Sequence, residues 1–131
     1  QKAEGLMTAL QALAGNITEF YGISCLFEPG SPVLVPDMAA AMHLYHIAQE
    51  AINNVLKHAA ATTLTVRLLL AEHQGELAIQ DDGIGFDPES SSSGLGRESM
   101  RERAESVGAT LAIQSQVGAG TVVIMRWLDP G

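Results

Sequence analysis

Apolar residues return at helical spacing from the first turns of the chain. Leu6, Leu10, Leu13, Ile17 and Phe20 share one stripe, and Gly22 is placed to end the helix they predict. "ISCLFE" (residues 23–28) then reads as a short strand, and "PGSP" as the turn after it. The 3.6-residue period resumes over residues 37–59, predicting a long helix. "TLTVRLLLAE" and "ELAIQD" read as strands, and a turn at Gln74 and Gly75 makes them an antiparallel hairpin. The loop "DDGIGFDPESSSSGLG" leads to a helix over residues 97–107. Two strands, "ATLAIQSQ" and "GTVVIMRWL", close the chain around a turn at Gly118 to Gly120. Hairpin-forming strands with helices between them predict an α+β fold in which helices cover one face of a mixed sheet.

Composition narrows the possibilities. A chain of 131 residues suits one domain, and its 47% hydrophobic content can fill one core. Charged residues make up 17%, against roughly 25% in an average domain, which we read as surface meant to lie against something outside this chain. Seven basic residues against 15 acidic give a net charge of −8, which argues against nucleic acid as a partner. Cys25 is alone, so no internal disulfide forms, and no paired Cys/His spacing suggests zinc. A reducing, cytoplasmic setting is the expectation. No apolar run approaches the roughly 20 residues of a membrane helix, so no direct membrane contact is expected. The amino end lacks a signal-peptide pattern. The start at Gln1 suggests part of a longer protein, whose other segments could be membrane-anchored.

Chemistry enters with "HIAQEAINNVLKHA", residues 46–59. Asparagine is a poor interior helix residue because its amide competes for the backbone, yet two stand here with a glutamate and a lysine. At 100° per residue, Leu44, Ala48, Ala51, Ile52, Val55, Leu56 and Ala59 fall on one side of the wheel. Gln49, Asn53, His46, Lys57, Glu50, His43 and Asn54 fall on the other. Glu50, Asn54 and Lys57 lie at i, i+4 and i+7, so they share one strip of adjacent turns. A carboxylate, an amide oxygen and a cation suit a magnesium-bound polyphosphate, because Mg²⁺ takes hard oxygen ligands and needs few protein groups. An ordinary solvated helix face is the competing reading.

In "GELAIQDDGIGF" strand alternation puts Leu77, Ile79 and Asp81 on one face. A carboxylate directed toward a core is expensive unless donors meet it, and an adenine amino group is a suitable donor. Gly83 and Gly85 follow at once and permit close ligand approach. A plain Asp-Gly turn would explain Gly83, though not the inward parity of Asp81. In "SSSSGLGRESMRERA" the serine run has little to pack and suits a lid. Gly94 and Gly96 open a helix whose free N–H groups could meet phosphate, with Arg97 and Arg101 close by. A flexible loop before an ordinary helix start explains the same residues. Met100, Ala104 and Val107 read as core.

Taken together, "EAINN" with "LKHA", then "DDGIG", "GLG" and "GAGT" resemble the N, G1 and G2 boxes and the last glycine-threonine element of the GHKL ATPase superfamily. Within it, "LYHIAQEAINNVLKHA" and "MRERAESVGATLAIQS" are similar to sensor histidine kinases that pair with response regulators bearing helix-turn-helix domains. The resemblance spans nearly the whole chain. It implies the two-layer α/β sandwich of Bergerat type, with ATP held between helices and sheet, and ATP and Mg²⁺ as cofactors. It assigns Asn54 to magnesium, Glu50 to orienting water or the phosphoacceptor, and Lys57 to phosphate. It assigns Asp81 to the adenine amino group, Gly83 and Gly85 to the rim of the base, Gly94 and Gly96 to a lid of about residues 83–97, and Thr121 to a water-mediated adenine contact. His58 reads as a packed histidine with an occasional ligand contact, while His43, His46 and His73 match no family role and read as surface.

Some positions depart from the family pattern. Asp82 stands where asparagine is common, adding negative charge near a phosphate site. Arg97 replaces an aliphatic residue after the lid glycines, and Ala109 the second glycine of a frequent pair. No histidine stands in a phosphoacceptor setting, so the resemblance implies a catalytic domain alone. Its dimerising phosphoacceptor domain would lie upstream in the same parent protein, with a response regulator downstream. Two alternatives stay open: a stand-alone serine kinase of anti-sigma-factor type, and a non-catalytic module that binds nucleotide or a partner.

Overall fold

The computed structural model describes residues 4–30, 35, 37–59, 61–84 and 97–128, with backbone only at residues 4, 29, 58, 59, 71 and 97. Helix α1, Glu4–Tyr21, buries Leu6, Leu10, Ala14 and Ile17. Gly22 ends it at φ +70°, a left-handed conformation that glycine adopts without a Cβ penalty. Phe20 departs from the predicted stripe: one residue short of the helix end, it is 73% exposed. The Thr18 hydroxyl ties the helix to strand β1, Ser24–Pro29. It accepts from Cys25 N (3.0 Å) and lies 3.1 Å from the Cys25 carbonyl.

Helix α2, Met38–Asn54, starts where Asp37 caps it, the carboxylate accepting from Ala40 N at 2.8 Å. Ala40, Leu44, Ile47, Ala48, Ala51 and Ile52 form its buried stripe. The long predicted helix does reach Ala59, but its last stretch, Val55–Ala59, is a π-helical turn. Such turns insert an extra residue per turn and so re-aim the side chains beyond them.

Strands β2 (Thr63–Ala71), β3 (Gln74–Asp81), β4 (Thr110–Ser115) and β5 (Thr121–Leu128) join β1 in a five-stranded sheet of order β1-β2-β3-β5-β4. β1 runs parallel to β2, and the other pairs are antiparallel. Helix α3, Arg97–Ser106, packs beside α2 and next to β4. Its C-terminus is closed by Gly108 N–H to Glu105 O (3.1 Å) and Ala109 N–H to Ala104 O (2.8 Å), with Gly108 at φ +73°. Ala109 therefore serves where only the first residue of the pair needs to be glycine, and it is buried over that bond.

One face of the sheet carries the core. Leu64, Val66, Leu68, Leu77, Ile79, Val123, Met125 and Trp127 point toward the helices. The opposite face is solvated and carries two ion pairs, Arg67–Glu28 at 2.8 Å and Arg126–Glu76 at 2.7 Å. The predicted α+β sandwich is thus observed, with one correction. The β2–β3 turn lies at Glu72 and His73, both at positive φ (51° and 66°), and not at Gln74 and Gly75. Gly75 has another reason: a Cβ there would sit 2.3 Å from Cε2 of the buried Trp127 indole.

Candidate nucleotide site

Two clusters of polar groups form, one over the helices and one at the end of the central strands. The first is a cavity of about 360 Å³ lined by His46, Gln49, Glu50, Asn53, Asn54 and Lys57 from α2 and its π turn, with Arg103 from α3. Glu50, Asn54 and Lys57 are brought together as their spacing predicts. The lining holds two cations and one carboxylate in a chain of net charge −8, so it is locally suited to an anion. Among the described residues, Glu50, Asn53, Asn54 and Lys57 have no internal hydrogen-bond or salt-bridge partner, which leaves them available to a ligand. His46, read from sequence as surface, lines this cavity and meets Gln49 Oε1 through Nδ1 at 3.1 Å. Asn53 and Arg103 were not singled out from the sequence. No sequence signal marks Arg103, because it reaches the cavity from α3, an element far along the chain from α2.

The second cluster is built on Asp81. Its parity holds: Leu77, Ile79 and Asp81 are 0%, 2% and 5% exposed. The carboxylate accepts from Gly83 N at 2.7 Å, and a backbone bond from Thr121 also favours its charged form. Burial nevertheless dominates and pushes its pKa above the usual carboxylate value, with the neighbouring charge of Asp82 adding to the rise. An ionised carboxylate offers about four acceptor positions, so Asp81 retains capacity for a ligand donor. Thr121 pairs with Asp81 across β3 and β5, its hydroxyl 2.7 Å from Ser115 Oγ. Gly120, at φ +80°, is required by its neighbour, because a Cβ there would lie 2.2 Å from the Asp81 carbonyl oxygen. The β4–β5 turn is in turn fastened to the segment after β3 by Gly118 N–H to Ile84 O at 2.6 Å.

The negative charge that Asp82 adds is bound up in hydrogen bonds between strands. Its carboxylate accepts from Thr62 N (2.9 Å), Thr63 N (2.9 Å) and the Thr62 hydroxyl (2.7 Å), clamping the start of β2 to the end of β3. Those donors lower its pKa to about 2. Gly85, Gly94, Gly96, the serine run and the side chains of Arg97 and His58 lie outside the described residues. Among the described residues no group of three His, Cys, Asp or Glu side chains converges as a metal cage. Glu50 and Asn54 still supply hard oxygens in one cavity, a donor set that fits an ion that keeps waters and phosphate oxygens as its remaining ligands.

Residues 39–131 match the family described as histidine kinase-, DNA gyrase B-, and HSP90-like ATPase. The chain belongs to that ATPase family. It is 36% identical over 94% of its length to the sensor histidine kinase YhcY of Bacillus subtilis, and 30% identical over 93% to the histidine-protein kinase/phosphatase DegS of the same organism. A similar 30% over 95% relates it to the nitrate/nitrite sensor protein NarX of Escherichia coli. It covers 32%, 34% and 21% of those relatives, so it spans only about a fifth to a third of their length. The ATP-binding domain of PrrB from Mycobacterium tuberculosis superposes with a TM-score of 0.79 at 20% identity, covering 96% of this chain and 95% of that one. The histidine kinase domain of the blue-light activated kinase from Erythrobacter litoralis gives 0.75 at 21% identity, over 94% and 60% of the two chains. Within that ATPase family, these relatives are named as histidine kinases and sensor proteins, and the two solved domains share the fold. Among its described residues, no helix is long and apolar enough to cross a membrane.

Proposed function

We propose that this domain binds Mg-ATP and presents the γ-phosphoryl group to a histidine on a separate dimerisation domain of the same parent protein, from which a response regulator is phosphorylated. The observation that carries the reading is the convergence of Glu50, Asn54 and Lys57 on one cavity, in a fold whose central strand ends in the buried carboxylate of Asp81.

In this reading Asp81 accepts a hydrogen bond from the adenine amino group. That donor would offset the burial cost that raises its pKa. Guanine presents an acceptor oxygen at the corresponding position, so the same carboxylate would repel GTP. Gly83 and Gly85 would keep backbone close to the base, and Thr121, paired across from Asp81, would hold a bridging water. Lys57 would neutralise phosphate charge. Glu50 and Asn54 would hold Mg²⁺, which when bound neutralises phosphate oxygens and stabilises charge on the transferred group. Glu50 would also orient the incoming imidazole. Gly94 and Gly96 would free backbone N–H groups for the phosphates, with residues 83–97 as the lid. Phosphoryl transfer asks little covalent chemistry of the protein, so positioning and charge compensation are the contribution expected of these side chains.

The test is phosphoryl transfer from γ-labelled ATP by the parent protein. Acid-labile phosphohistidine that disappears in Asn54→Ala is the expected result. Acid-stable phosphoserine on a partner, or folded parent protein that binds ATP without transferring phosphate, would overturn the transfer step.

A further inference from the structure

Of the two cations lining the α2 cavity, Arg103 is the one that the nucleotide reading leaves without a role. It projects from α3, an element separate from the helix that supplies the rest of the cavity, and lines the same space as Glu50, Asn54 and Lys57. Among the described residues its guanidinium makes no ion pair, unlike those of Arg67 and Arg126 on the far face of the sheet. Its described partner is an imidazole: Nη1 lies 3.4 Å from Nδ1 of His43, three residues before His46 on α2. A guanidinium has no acceptor, so in this contact it can only donate, with Nδ1 of His43 as the acceptor. That contact restrains the long arginine side chain without neutralising it. A carboxylate in place of His43 would cancel the charge, whereas an imidazole steers it and leaves it for a ligand.

The geometry points to Arg103 as a second phosphate-binding cation, acting opposite Lys57 across the cavity wall, and to His43 as the residue that positions it. The inference rests on the ATP-binding reading and extends it to two residues to which that reading gives no role. Arginine suits the task better than lysine, because its planar fork can meet two phosphate oxygens together. A restrained fork also loses less freedom on binding than a free one, so His43 contributes affinity without touching the nucleotide. Because α3 begins just after the predicted lid, the same contact would couple nucleotide phosphates to the position of that helix.

Calorimetric titration of this chain with Mg-ATP, Mg-ADP and AMP separates the possibilities. Arg103→Gln should weaken ATP by roughly tenfold or more, ADP less, and AMP least, because the lost partner is phosphate and not the base. Arg103→Lys should recover part of the ATP affinity. His43→Leu should weaken ATP by a few-fold. His43→Asn should restore it, since an amide oxygen can replace Nδ1 as acceptor. In the Arg103→Gln background, His43→Leu should add nothing, the signature of a residue that works through its partner. Equal losses for ATP, ADP and AMP in folded Arg103→Gln protein would mark a structural role and overturn the inference. So would an unchanged ATP affinity, or additive losses in the double variant. Failure of the unaltered chain to bind any of the three would instead overturn the ATP-binding reading, and this inference with it.

Discussion

Gly120→Ala probes how tightly the adenine-side carboxylate is built into the fold. Two costs arise together. The residue sits at φ +80°, where an L side chain is strained by about 1 to 2 kcal/mol. Its Cβ would also lie 2.2 Å from the Asp81 carbonyl oxygen and 3.3 Å from Asp82 Cα, against an ordinary contact of about 3.5 Å. The obstructing atoms are backbone of a central strand end, so relief requires moving β3 or β5, an overpacking cost of about 1 to 3 kcal/mol more. Gly118→Ala is the matched control: its φ is +83°, but a Cβ there meets nothing within 4 Å. Denaturant unfolding should therefore show a loss of about 1 to 2 kcal/mol for Gly118→Ala and about 2 to 5 kcal/mol for Gly120→Ala. At this chain length each kcal/mol corresponds to roughly 3 to 5 °C in Tm. Only the Gly120 variant should also lose adenine-nucleotide affinity, because only it displaces Asp81. Equal destabilisation of the two variants, or unaltered nucleotide binding in folded Gly120→Ala, would refute the argument.

Other outcomes follow from the same site. Asp81→Asn keeps an oxygen for the Gly83 N–H and removes a buried charge. Because the folded-state pKa of Asp81 is raised, ionisation opposes folding as pH rises through that value, so the variant should be more heat-stable than the parent at pH 7 while binding adenine nucleotide less well, both readable by a thermal shift series. Asp82 has the opposite sign. Its pKa is lowered to about 2, so its stabilising contribution is complete above the ordinary carboxylate range and is lost as pH falls toward 2; Asp82→Ala should flatten that part of the acid-unfolding curve. Asn54→Ala should abolish the strengthening of ATP binding by Mg²⁺ while sparing adenine selectivity, and an undiminished Mg²⁺ effect in titration would remove Asn54 from the metal assignment.

Much of this was legible in the residue pattern. Strand parity alone turned Asp81 inward, and α-helical spacing alone set Glu50 and Asn54 on one strip, because both depend only on local periodicity; Lys57 reaches the same cavity from the π turn. Where tertiary packing decided, the pattern misled. Gly75 looked like a turn residue, yet it is a strand glycine that makes room for Trp127, while Glu72 and His73 take the positive φ values themselves. Phe20 kept the helical period of its neighbours but lies beyond the reach of the core. The π turn at Val55–Ala59 has no signature in a wheel drawn at a fixed 100°, and Arg103 enters the cavity from an element far along the chain. The clamp made by Asp82 was not legible, because the donors that occupy it, Thr62 and Thr63, lie about twenty residues earlier in the chain.

The central claim is that Asp81 and the α2 cavity form one Mg-ATP site. Its most direct test is calorimetric titration of this chain with a non-hydrolysable ATP analogue, with and without Mg²⁺, beside the GTP counterpart and Asp81→Ala. Losing a hydrogen bond to a charged group costs about 1.5 to 3 kcal/mol, roughly 10- to 150-fold in affinity. The account predicts adenine-selective binding that Mg²⁺ strengthens and that falls by this factor in the variant. Equal affinity for the two bases, or a folded Asp81→Ala protein that binds as well as the parent, would contradict it.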